Sequence, residues 1–168
     1  VGAPKYECIN GKGCIPYIPE IALGISKQIR KMAESNHIFL ALADLGDTDA
    51  IVEYLQGLMQ RGVLEAYVDP HCKQLIGIVG YSCSTLWWAK DDRNRILIEE
   101  IILSFNGTVG FGRVAVQRLE EIARENGCSI IMSGNFLGVG QQQIENLYVR
   151  KSGFTKLYSN FFKVSGKE

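Results

Sequence analysis

The sequence predicts an α+β domain, a central mixed β-sheet flanked by helices. Three observations carry this. Apolar residues recur at helical spacing near residues 19–33, 47–61 and 111–126. Short runs rich in β-branched and aromatic residues lie between and after those stretches. Three such runs stand together between the second and third helices, so an antiparallel meander is expected within the sheet.

Residues 1–16 hold Gly2, Pro4, Gly11, Gly13 and Pro16 and read as irregular. A helix follows from about Pro19 to Ala33, with proline at the first helical position. Its apolar stripe is Ile21, Ile25, Ile29 and Met32, with Lys27, Arg30 and Lys31 off it. "HIFLALAD" at 37–44 reads as a buried strand. Asp47 is a good cap for a second helix, and Asp49 in the first turn suits its dipole. Ile51, Leu55, Leu58 and Met59 make the apolar face, and Gly62 ends it. Runs at 63–69 and 73–85 flank Asp69-Pro70 and read as a hairpin. His71 and Cys72 fall in that turn. "RILIEEIILSF" at 95–105 is a third strong strand. After a glycine-rich loop, Phe111, Ala115, Leu119, Ile122 and Ala123 share one helical face, and Gly127 stops the helix. A strand at 128–136, a short helix at 141–152 ending at Gly153, and a last strand region at 154–164 complete the chain.

The 168 residues suit one domain with a full core, 46% hydrophobic and 21% charged. The net charge is zero, which argues against a nucleic-acid or membrane-surface binder. No run is long and apolar enough to span a bilayer, and the N-terminus has no secretory pattern, so the expectation is cytoplasmic. Cys8, Cys14, Cys72, Cys83 and Cys128 are an odd, scattered set, read as reduced thiols. Cys8 and Cys14 are close enough in sequence for a small loop disulfide. With only His37 and His71 as histidines, no metal site is expected.

The chemistry-bearing feature is "NGTVGFGRV" at 106–114, with Gly107, Gly110 and Gly112. It joins a strand to a helix start, where N–H groups lack partners and carry partial positive charge. Glycines there let a bulky anion such as a pyrophosphate approach. The loop has no Gly-Lys-Ser/Thr and the wrong spacing for a dinucleotide fingerprint. A tight turn with no ligand is the plain alternative.

From about Ile38 to Val164 the chain resembles the GNAT family of acyl-CoA N-acyltransferases. "FLALADLGDTDAIVEYLQGLMQRG" is similar to the family's opening strand and first helix, and "ILIEEIILSF" to its central strand. "GTVGFG" resembles the Gln/Arg-x-x-Gly-x-Gly/Ala signature, and "RLEEIARENGC" and "ENLYVRKSGF" resemble its usual tail. The resemblance implies residues 1–34 as an N-terminal extension and 35–168 as the acyltransferase domain. The extension is a candidate arm for docking a partner or a second copy.

The resemblance also implies acetyl-CoA as co-substrate and a primary amine of unknown size as acceptor. Its pantetheine arm would pair with the backbone of Ile102, Leu103 and Ser104. Its pyrophosphate would sit on Val109, Gly110, Phe111, Gly112 and Arg113. Gly107 stands where the signature has Gln or Arg, so a long polar side chain is missing. Many members place a proton-donating Tyr four residues before the Gly of the Gly-Phe pair. Here Val149 holds that position and Tyr148 lies one residue earlier. A step of about 100° on an α-helix would turn Tyr148 away, unless an inserted residue near Ser152 restores it. Tyr148 is therefore a candidate acid or a packing tyrosine. Glu99 and Glu100 are the candidate bases; being adjacent in a strand, they should face opposite sides. Their alternative is an ordinary polar role, or pairing with Arg93 or Arg95. Ser133 and Asn135 are candidate substrate contacts. Trp87-Trp88 is a candidate wall of the acceptor pocket or plain core. The competing expectation for the whole chain is a GNAT-fold binding module without catalysis.

Overall fold

The computed structural model describes residues 6–35, 47–86, 95–134 and 145–156. Among these residues five strands form one sheet in sequence order: β1 (Glu7–Asn10), β2 (Leu64–Val68), β3 (Leu75–Thr85), β4 (Arg95–Ser104) and β5 (Cys128–Met132). The first four pair antiparallel, and β4 pairs parallel with β5. Helices α1 (Ile18–Ser35) and α2 (Thr48–Gln60) precede the hairpin, and α3 (Phe111–Glu125) crosses from β4 to β5. A mixed sheet flanked by helices is what the pattern of apolar runs predicted.

Local signals account for the second helix well. The Asp47 side chain accepts from the Asp49 N–H at 2.9 Å, and Leu55 and Leu58 are fully buried. They pack with Ile21, Leu64, Ala66, Val68, Leu75 and Ile78 on one face of the sheet. On the other face α3 lays Phe111, Ala115, Leu119, Ile122 and Ala123 against Tyr67, Val79, Tyr81 and Leu97. All five of those α3 residues are the ones its spacing selected. In the hairpin turn the Asp69 carboxylate accepts the His71 and Cys72 N–H groups, which gives that turn its form.

Within the stretch expected to be irregular, residues 7–16 are regular. Glu7–Asn10 is the sheet's edge strand, in register with Glu65–Val68, and Gly11–Tyr17 is a 3-10 helix. The strand is four residues long and owes its existence to pairing with β2, some sixty positions away, so no local pattern announces it. Cys14 is buried, and its thiol donates to the Ile9 and Leu64 carbonyls. All five cysteines are free, so the Cys8–Cys14 disulfide does not form. Residues 7–34 thus contribute an edge strand and α1 to the same core that α2 and the hairpin build.

One buried ion pair ties α3 to the sheet. Glu65 on β2 is 2% exposed, accepts from the Tyr67 hydroxyl at 2.8 Å, and meets the Arg118 guanidinium at 2.9 Å. Arg118 also reaches Glu121 and Glu125 on its own helix. The proposed strand at 37–44, Trp87-Trp88, Arg93, Asn135 and most of the last strand region lie outside the described residues. No described helix is long and apolar enough to cross a membrane.

Candidate active site

Strand β4 is the site's spine. Along β3 its register runs unbroken until Gly80 pairs with Ile101 and Tyr81 with Glu99. Glu100 is the extra residue, a β-bulge that puts a local kink in the strand. On the other side, β5 pairs with β4 only from Arg95 to Ile98. Beyond Ile98 no described strand pairs with that edge of β4. Among the described residues, Glu99–Ser104 therefore present backbone N–H and C=O groups to a gap beside β5, and an extended chain with amide groups fits such an edge. Ile102, Leu103 and Ser104 lie on it.

The two adjacent glutamates go to opposite faces, as strand geometry requires. Glu99 turns to the α3 side, level with Tyr81. There its Oε2 accepts the Tyr148 hydroxyl at 2.5 Å and also the Ser133 hydroxyl. Burial pushes the Glu99 carboxyl above its usual range, and the two donors pull against that. Tyr148 is 9% exposed and packs edge-on against Phe154, with ring centres 5.0 Å apart. Burial first, and the Glu99 charge second, push its phenol well above its ordinary value. Ser133, a candidate substrate contact, thus also holds Glu99 within the protein. Neither glutamate pairs with Arg95, whose guanidinium donates to the Asn126 carbonyl.

Glu100 turns to the α2 side. It accepts from Ser82 at 2.6 Å and from Tyr54 at 3.0 Å. It does not join the Glu99–Tyr148 cluster. Burial and the nearby Glu100 charge hold the Tyr54 phenol protonated, pushed up to about 12.

Tyr148 reaches Glu99 because its helix is not an α-helix. Asn146–Lys151 is π-helical, with one more residue per hydrogen-bonded ring. The extra residue that the sequence spacing implied is taken up inside the turn, so Tyr148 is not rotated away. The chain ending agrees. Gly153 is left-handed at φ +72, and the Phe154 N–H bonds back to the Tyr148 carbonyl, six residues away. An α-helix closing on a left-handed glycine makes the corresponding bond across five.

The glycine loop lies beside the open end of β4. Gly110 caps α3 in the left-handed region at φ +88, with no side-chain cap, and a Cβ there would meet nothing within 4 Å. The first turn of α3 therefore has no side-chain cap among the described residues, the arrangement that favours an anion. Val109 is 92% exposed and Arg113 is exposed in the first turn. Phe111 is different: it is buried under the sheet, with its ring where a Gly77 Cβ would be, at 2.2 Å. Gly112 is also different. A Cβ there would strike Leu147 at 2.8 Å, so this glycine lets the π-helical segment pack on α3. It does not clear room for a ligand with its missing side chain. Gly107 sits at φ +67, a conformation that disfavours the Gln or Arg of the family signature. No group of three or more metal-ligating side chains occurs among the described residues.

No protein-family model matches the sequence, and no curated protein matches it. Solved structures do match. A possible acetyltransferase from Clostridium difficile 630 superposes with a TM-score of 0.62 at 10% identity, over 97% of this chain and 99% of that one. The aminoglycoside N-acetyltransferase AAC(6')-Iy in complex with CoA gives 0.58 at 14% identity, over 96% and 93%. The ribosomal-protein-alanine N-acetyltransferase from Brucella melitensis biovar Abortus 2308 gives 0.54 at 14% identity, over 95% and 99%. The likeness takes in β1 and α1 as well as the stretch that carried the sequence resemblance. At such identities it speaks to architecture, and on that the sheet order, the parting of β4 from β5 and these superpositions agree: the chain has the GNAT acetyltransferase fold.

Proposed function

We propose that the protein is an N-acyltransferase that moves an acyl group, acetyl in the first instance, from coenzyme A to a primary amine. The observation that carries this reading is the Tyr148–Glu99 hydrogen bond where β4 and β5 part. A protonated phenol and a carboxylate in contact, both half-withdrawn from water, form a unit that can take one proton and give another.

The pantetheine arm would lie along the open edge of Ile102–Ser104, and the pyrophosphate on the N–H groups from Val109 to Arg113. The grip would be mainly backbone, since Gly107 offers no side chain and Arg113 is the only nearby cation of the signature. Glu99 takes a proton from the acceptor ammonium, made more basic by its burial. The free amine attacks the thioester carbonyl, and its second proton leaves as the amide forms. The C–S bond breaks, and the thiolate takes the Tyr148 proton. The protonated Glu99 then returns a proton to the phenolate along their shared hydrogen bond. The sum is amide, free thiol and one proton released to water.

Release of the CoA thiol from acetyl-CoA, followed across a panel of primary amines, tests this. Tyr148→Phe should lower kcat by about a hundredfold or more while leaving KM for acetyl-CoA unchanged. A melting-temperature rise with CoA but no turnover of any amine would refute the catalytic reading and favour a CoA-binding module.

A further inference from the structure

Glu100 is unused in that mechanism, and its surroundings are unlike those of Glu99. It is exposed, its two donors are neutral hydroxyls, and it forms no ion pair among the described residues. Directly opposed residues in adjacent strands share a face. Ser82 pairs with Ile98, and Ile98 with Met132; Ser84 pairs with Ile96, and Ile96 with Ile130. Since Ser82 bonds Glu100, all of these lie on the α2 side. On that side Ile130 is 47% exposed, Met132 40% and Tyr54 45%. An apolar floor thus runs up to a carboxylate that no described cation pairs with directly, beside the gap that Glu99 faces from the other side.

Resting on the acyltransferase reading, we propose that this face is the acceptor site. Glu100, steadied by Tyr54 and Ser82, takes the ammonium of a primary amine whose apolar body lies over Ile98, Ile130 and Met132. The acceptor class is then an amphipathic monoamine, not a polycationic or sugar-like one. The bulge explains how one strand serves both partners. It aims Glu100 at the incoming cation on the α2 face; the amine then crosses where β4 and β5 part to Glu99, which receives the proton on the thioester side.

The test uses n-hexylamine, ethanolamine and kanamycin with the full chain, read both by calorimetric binding and by CoA release. Hexylamine should bind most tightly. Glu100→Gln should weaken it roughly fivefold to tenfold, mostly in KM, with melting shift by CoA unchanged; added salt should weaken wild-type binding likewise. Met132→Ser should lower hexylamine affinity and leave ethanolamine alone. Turnover of other amines with no preference for hexylamine, or with KM unmoved in Glu100→Gln, overturns the acceptor assignment and leaves the acyltransferase reading standing. Hexylamine binding that depends on Glu100 without any turnover supports the site and counts against the catalytic reading. Absence of hexylamine binding overturns the assignment whatever the enzyme does.

Discussion

Deleting Arg150 should leave the site intact. From Tyr148 to Gly153 is a span of five residues, which the π turn closes in one revolution. Removing one exposed residue between them leaves four, the span an α-helix closes in one turn of about 3.6 residues. Tyr148 and Gly153 then stay one turn apart, the segment becomes α-helical, and the phenol still meets Glu99. Arg150 is exposed, so its side chain costs little to lose. Turnover should stay within about threefold of wild type, since contributions below about 0.7 kcal/mol are expected for an exposed site. Inserting an alanine after Arg150 adds a second surplus residue. The turn cannot absorb it, and Tyr148 swings by about 100° away from Glu99. Loss of the acid should then cost about a hundredfold to ten-thousandfold in kcat. CoA thiol release measures both variants, with Tyr148→Phe as the reference. A deletion variant as slow as Tyr148→Phe, or an insertion variant as fast as wild type, would refute the idea that the π turn exists to absorb one residue.

Gly110→Glu should abolish the CoA melting shift, because it forces a side chain into a left-handed position and puts a negative charge at the helix start; an unchanged shift would mean the pyrophosphate lies elsewhere. The kcat profile should fall on the acid side through a value above the ordinary 4.5 of a glutamate, because Glu99 must be ionised to take the proton and burial raises its pKa. Tyr148 keeps its proton beyond its ordinary 10, so no alkaline loss should come from it below about pH 10, and Glu99→Gln should remove the acid limb. Arg118→Ala leaves the buried Glu65 carboxylate with only the Tyr67 hydroxyl among its described donors. It should cost about 3–5 kcal/mol, a melting drop of roughly 10 °C, whereas Glu65→Leu with Arg118→Met together should cost far less. Equal losses in the single and double variants would contradict that account.

Where structure follows from neighbours in sequence, the chain states it openly. Asp47 announces α2, Gly62 and Gly127 end their helices, and the stripe from Phe111 to Ala123 is the buried face of α3. Opposite facing of Glu99 and Glu100 was also legible, from alternation alone. What was hidden depends on distant partners. Glu7–Asn10 is a strand only because Glu65–Val68 is there to receive it. Choosing which glutamate joins Tyr148 needed the bulge at Glu100, set by pairing with β3. The π turn was half visible: the spacing of Tyr148 to Gly153 showed one residue too many, but not that a turn would swallow it. The missing side chain of Gly112 misled because its neighbour Leu147 is remote in sequence: the space it leaves is filled by packing.

Phe111 links the glycine loop to parts of the chain far from it in sequence. Its ring occupies the notch left by Gly77 and stacks edge-on with Tyr67 and Tyr6, at 5.4 and 6.5 Å. The first residue of the helix that would hold the pyrophosphate is thus gripped by β3, β2 and the residue just before β1. Occupancy of the loop should therefore be felt as slower amide exchange along β3 and at the N-terminal edge strand. Conversely, Tyr6→Ala should loosen a loop about a hundred residues downstream and lower the CoA melting shift if that loop holds the pyrophosphate.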